Sequence, residues 1–252
     1  MGFGLEKHSY SLAAMVFIAT VISGCAWVRP AKPPYCETME LEAEDSRNGW
    51  WRARFSVKWP QNTAPSWHTD LFMAHKIVSP VLYRYKDKIT LWRFHRRAAR
   101  DPYGHQFSFI FYCPPETANH IYNAFRCDER LKEMTTAGVI TQAAYDDPSM
   151  ITKPNIEDTS DVNWSSHIKR SWPYYIMGVS QMWLNLIAEI AEHTSGGEDP
   201  SSLKENQAFY EQVNESIKEL WKEQGSHALL HHLNAMFGYE PVTIYEKRLL
   251  RF

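Results

Sequence analysis

The stretch Gln106–Tyr112, QFSFIFY, decides how the rest of the chain is read. Phe107, Phe109 and Phe111 alternate with Ser108, Ile110 and Tyr112, the period of two expected of a strand covered at least partly on both faces. A second aromatic run, ITLWRF (89–94), precedes it, and HRRAARDPYGH (95–105) lies between them. Pro102, Tyr103 and Gly104 mark the close of that connection. Downstream, PETANHIYNAFRCDERLKEM (115–134) has helical character and AGVITQAAY (137–145) reads as a further strand.

Upstream, WWRARFSVKW (50–59) and VLYRY (81–85) are strand-like, and SWHTDLFMAHKI (66–77) between them is helical in character. Residues 50–145 therefore predict an α+β domain, an antiparallel sheet with helices packed on one face. The order strand, strand, helix, strand around QFSFIFY suits a ferredoxin-like sandwich, a fold that hosts many functions and decides none.

Residues 146–163, with two prolines and several acids but no periodicity, predict a solvated acidic linker. Residues 164–252 predict a helical subdomain. Ser171 with Pro173 marks a helix start, followed by a stripe of Ile176, Val179, Trp183, Leu186 and Ile190 that stops at Gly196-Gly197. Ser202 and Glu205 form a capping box for a second helix, with Tyr210, Val213, Ile217 and Leu220 as its stripe and Gly225 as its stop. A short third helix is expected over 226–238.

The first residues carry an address. SLAAMVFIATVISG (11–24) has the length of a signal-peptide apolar region and ends in Ile22-Ser23-Gly24-Cys25. This resembles the lipobox of bacterial lipoprotein precursors. The resemblance implies removal of residues 1–24, lipidation of Cys25, and attachment to the cell envelope through acyl chains. Ala26 in place of Asp implies the outer membrane, facing the periplasm. Residues 25–49, with Pro30, Pro33 and Pro34 and then an acidic run, read as a tether.

Cys36, Cys113 and Cys127 then remain, an odd number whose pairing is open. Cys127 shares a helical stripe with Ala124, Leu131 and Met134, which predicts a small buried residue. The 252 residues carry a net charge of −2, so nucleic acid is not an expected partner and any anion recognition must come from a local patch. Ten Trp and thirteen Tyr fit a large core better than a sugar-stacking surface.

Arg93, His95, Arg96, Arg97, Arg100 and His105 form the densest polar group in the chain. On a strand, Leu91, Arg93 and His95 point one way and Trp92 and Phe94 the other, which gathers the guanidinium groups at one end of the sheet. Their planar forks suit bidentate contact with phosphate or carboxylate, an anion or partner site. Equally, they can pair with acids elsewhere, such as Asp146, Asp147 or Glu157, and the sequence leaves both readings open. His95 and His105 beside arginines also suit acid/base chemistry on such an anion.

His227 and His231, four residues apart on one helical face, can chelate a transition metal if a further ligand is supplied. No HExxH, GxSxG, Walker A, GxGxxG or CxxCH motif is present. The expectation is therefore a binding or scaffolding component of an envelope protein complex, without catalysis and without a cofactor, whose histidines lie partly buried at an interface. The alternatives are a metal-dependent or Arg/His-assisted envelope enzyme and a binding protein for a small anionic ligand.

Overall fold

A computed structural model of the chain describes residues 48–195, 200 and 202–242. The signal-like segment, Cys25, Cys36 and the tether up to residue 47 lie outside the described residues.

Four strands form one antiparallel sheet: β1 (Gly49–Val57), β2 (Leu91–Ala98), β3 (His105–Cys113) and β4 (Ile140–Tyr145), in the lateral order β2-β3-β1-β4. A hairpin joins β2 to β3, and Gly104 turns it with a φ of 61° that a side chain would disfavour. Between β1 and β2 run α1 (Trp67–Phe72), a π-helical stretch (Met73–Val78) and α2 (Ser79–Tyr85); between β3 and β4 run α3 (Pro115–Cys127) and α4 (Glu129–Thr136). This α+β arrangement has the βαββαβ order of a ferredoxin-like sandwich. One expected strand is corrected: VLYRY lies in helix α2. The π-helical turn shifts the helical phase just before it, so the continuing apolar face, with Val81 and Leu82 buried, loses its regular spacing.

Alternation along the strands sets the layers. Trp51, Ala53 and Phe55 of β1, Phe94 of β2, and Phe107, Phe109 and Phe111 of β3 are buried under the helices. Phe109 stacks on Phe111 at 4.8 Å, and Phe125 of α3 meets Phe55 and Phe109 edge-on.

Two long helices follow, α5 (Ser166–Ser195) and α6 (Leu203–Gly225). Their Leu184, Ile187, Tyr210 and Val213 join the buried cluster of the sheet, so the helical region shares that core. The capping box of Ser202 and Glu205 opens α6 as expected. Helix α5 starts earlier than Ser171 and carries Pro173 inside it. Proline cannot donate to the carbonyl four residues back, Lys169, and that oxygen instead accepts from Ser160 Oγ at 2.7 Å. Gly225 does not stop the second helix: the chain passes through it into a π-helical stretch (Ser226–His231) and α7 (His232–Met236). A Cβ on Gly225 would lie 2.7 Å from Trp221 Cε3, so the glycine admits the indole rather than ending the helix.

Helix α5 also covers an edge of the sheet. The N–H of Phe94, pointing outward from β2, donates to Ser180 Oγ at 3.1 Å, while that hydroxyl donates to Ile176 O at 2.8 Å. At the far end of the sheet, residues 153–156 are fixed to the second face. Trp50 N–H bonds Lys153 O, the Trp50 indole bonds Ile156 O at 2.9 Å, and Tyr112 Oη bonds Pro154 O at 2.6 Å. The expected linker is thus partly a cover for Trp50, Leu91, Ile110 and Tyr112.

Cys113 is buried and free, its thiol pKa pushed far up by burial. Cys127 is free and exposed, contrary to the helical stripe expected to bury it. That stripe is interrupted: Asp128 ends α3 and caps α4, its carboxylate accepting from Leu131 N at 2.9 Å, so Leu131 and Met134 belong to a separate helix. No described helix is long and apolar enough to cross a membrane.

Candidate functional site: the open basic face of the sheet

The arginine-rich stretch is divided by the pleat. Arg96 and His105 fall on the helix side, where both meet one carboxylate. Asp70 of α1, fully buried, accepts from Arg96 Nε at 2.8 Å through one oxygen and lies 3.0 Å from His105 Nε2 through the other. The Arg96 guanidinium is held between two indoles, 4.9 Å from the ring centre of Trp67 and 4.6 Å from that of Trp183. Trp59 and Trp67 flank the His105 ring edge-on. His105 Nδ1 is buried without a hydrogen bond. This knot ties the first helical crossover to the β2–β3 hairpin.

Two further arginines serve the loops. Arg100 lies 3.4 Å over the Trp59 ring and donates to the carbonyls of Trp59, Pro60 and Thr63, stapling the loop after β1. Arg97 pairs with Asp101, whose carboxyl pKa falls first through its hydrogen bond to that guanidinium. The acids that take up arginines are therefore Asp70 and Asp101, and not Asp147 or Glu157; Asp146 pairs with Arg52, which lies outside the stretch.

Arg93, His95 and Arg97 face the other side, and two residues that the stretch does not contain join them. Cross-strand register lays out three rows on this face: Arg93–Ile110–Arg52, His95–Ser108–Arg54–Ala144, and Arg97–Gln106–Ser56–Gln142. Arg52 lies 3.7 Å from Asp146 across a half-exposed gap, and Arg54 has no acidic partner among the described residues. Arg93 stacks on Trp172 of α5 at 4.9 Å, its Nε buried without a hydrogen bond, and burial lowers its pKa to about 10. It remains a cation at neutral pH with no carboxylate beside it among the described residues. His95 is pushed below its ordinary pKa by burial first and then by Arg93, Arg97 and Arg52, so it is neutral at pH 7. The face continues into an open cleft of about 1,400 Å³ bounded by Trp59, Arg100 and Tyr103, with Arg54, Gln106 and Gln142 on its floor.

Arg52 and Arg54 were legible as neighbours on one strand face in the run RARF. What the sequence withholds is which strand lies beside β1. His95 and His105, expected to act as a pair, lie on opposite faces of the sheet and do not meet.

The other histidine group is assembled differently from its expected form. His227 and His231 stack at 5.2 Å, and His232 reaches both, at 5.5 and 5.3 Å. A π-helical turn of about 4.4 residues places positions i+4 and i+5 on either side of residue i, which brings His232 back to His227. All three are exposed on the described chain, where partly buried side chains were expected. Among the described residues no three His, Cys, Asp or Glu side chains are disposed to hold a metal ion.

Fold and site together define a ferredoxin-like sheet whose second face, partly covered by residues 153–156 and by Trp172 of α5, carries four arginines, two of which, Arg54 and Arg93, have no acidic partner among the described residues. Searches against protein-family models, curated proteins and solved structures found no match.

Proposed function

We propose that the protein is a lipid-anchored component of the bacterial cell envelope that binds an anionic surface of an envelope protein through the open face of its sheet, without catalysis of its own. One observation carries the reading: Arg52 and Arg54 of β1 and Arg93, His95 and Arg97 of β2 lie on one face, across β3 from each other, and among the described residues only Asp146 and Asp101 stand against them. Guanidinium groups without an internal acid, as Arg54 and Arg93 are among the described residues, match carboxylates from outside. The cleft that the face runs into is open rather than enclosed, which suits a macromolecular partner better than a buried small molecule. The two aromatic rings that the strands place there, Trp50 and Tyr112, are buried beneath residues 153–156. The anchor rests on Ile22-Ser23-Gly24-Cys25.

The test uses the detergent-solubilised full chain and fluorescent oligoglutamate. Wild type is expected to bind it with an affinity that falls as salt rises. The double substitution Arg54→Gln/Arg93→Gln should weaken binding by about tenfold or more, and oligolysine should not bind. Equal binding by wild type and double variant would overturn the reading of the face. Cys25→Ser should abolish acyl labelling and leave the precursor uncut; a labelled Cys25→Ser protein would overturn the anchor.

A further inference from the structure

The sheet has two edges, and they are treated differently. The β2 edge is sealed by α5 through Ser180, with Trp172 on one side of the strand and Trp183 on the other. The β4 edge has no such cover among the described residues. In ITQAAY, Thr141, Gln142 and Ala143 are exposed, and the strand contains no charge and no proline, the devices by which edge strands usually resist pairing. Asp146 N bonds Arg52 O, which fixes the alternation: Ala144 and Gln142 exchange hydrogen bonds with β1, and the N–H and C=O groups of Ala143 and Tyr145 point outward. No hydrogen bond reaches those outward groups among the described residues.

Beside this edge lies Arg54. Among the described residues, the only side chain between it and the outside, along its row, is the methyl group of Ala144. A strand added beyond β4 would lie about 10 Å from the Arg54 backbone, two strand spacings away. An arginine and a glutamate reaching toward each other span that gap across a methyl group, where a larger residue at 144 would stand in the way.

We propose that β4 accepts an extended acidic segment of a partner protein as a fifth strand, with a carboxylate opposite Ala144 meeting Arg54. The proposal rests on the reading of the basic face given above and names how its partner docks. Main-chain bonds to Ala143 and Tyr145 supply affinity and Arg54 supplies the preference for acid, the division of labour of strand addition. A second copy pairing through its own β4 would offer Arg54 no carboxylate, since that strand carries Thr, Gln and Ala on its exposed positions. Charge complementarity therefore selects an acidic partner.

The test is fluorescence anisotropy with a labelled octapeptide of alternating Thr and Glu, the full chain in detergent, and three perturbations. Ala143→Pro removes an outward N–H without touching the ladder to β1, so the sheet should remain folded by circular dichroism. N-methylation of every second peptide residue removes donors from the ligand and leaves the protein unaltered, so it discriminates even if the proline variant does not fold. Arg54→Gln removes the charge. Each is expected to weaken binding by about tenfold, and a Thr/Lys octapeptide should not bind. If Arg54→Gln weakens binding while the proline and the N-methyl groups do not, the face binds acid without the edge, and the inference falls while the proposed function stands. Binding of oligoglutamate without binding of the octapeptide would likewise overturn the inference and leave the proposed function standing. Dimerisation by analytical ultracentrifugation that Ala143→Pro abolishes, with no octapeptide bound, would assign the edge to a second copy and overturn the inference.

Discussion

Arg93 and Arg96 stand three residues apart on one strand and face opposite sides of the sheet. Under the helices, Arg96 is clasped by two indoles and a fully buried carboxylate. On the open side, Arg93 has one indole, an unbonded Nε and no acid among the described residues. The same residue type thus does two kinds of work in one short run. Where a carboxylate comes from a distant helix to meet the guanidinium, the pair locates the helix; where none comes, the charge is left for something outside the chain.

The sharpest way to break this comparison is Asp70→Asn. It strands Arg96 and His105 against a buried amide, and loss of one partner in a buried pair costs about 3–5 kcal/mol. Urea unfolding should show a loss of that order, while the folded fraction still binds oligoglutamate. A loss under about 1 kcal/mol would mean that the aromatic sandwich, not the carboxylate, holds Arg96. Next comes the seam between the two faces. Ser180→Ala leaves the Phe94 N–H without its acceptor under α5, and a buried orphan donor costs about 1–3 kcal/mol, again read from urea midpoints.

On the open face the expected stability effect is small and the binding effect large. Arg54→Gln should change unfolding free energy by no more than about 0.5 kcal/mol, because no partner is stranded. A clear destabilisation would reveal an internal role and collapse the contrast. The smallest effect concerns pH. The folded-state pKa of His95 lies below its ordinary 6.5, so as pH falls through 6.5 the unfolded chain takes up the proton first and stability declines until the folded-state value is passed. His95→Gln should remove that part of the decline, measured as the shift in urea midpoint between pH 7.5 and pH 5.5. Bound oligoglutamate should raise the His95 pKa, so wild-type affinity should increase over the same acid range and the variant's should not.

The sheet was legible in the sequence because its signals are local. QFSFIFY carries its own period, and Ser202 with Glu205 forms its cap within one turn. Helices were misread where the winding changed. VLYRY follows one π-helical stretch and Ser226 begins another, and at each the apolar spacing slips out of register with a 3.6-residue period. Pro173 looked like a start because proline usually opens helices; the bond from Ser160 that lets it sit inside is a tertiary contact. The site was half legible for the same reason. Alternation separates Arg93 from Arg96 on paper, but Asp70 as the one's partner and Arg52 and Arg54 as the other's companions depend on which strands and helices lie side by side.

The seal that α5 places on β2 also has a consequence in time. Residues 49–145 contain every described strand, yet Ser180 and Trp183 are made later, so a chain emerging from its N-terminus holds a complete sheet with both edges raw until the helix arrives. The closing contact joins residues 86 positions apart, a separation that slows formation relative to local pairing. During that interval the unfinished sheet can add strands at β2 as well as at β4. Afterwards only one direction of growth remains, so the order of synthesis itself turns a two-ended sheet into a one-ended one.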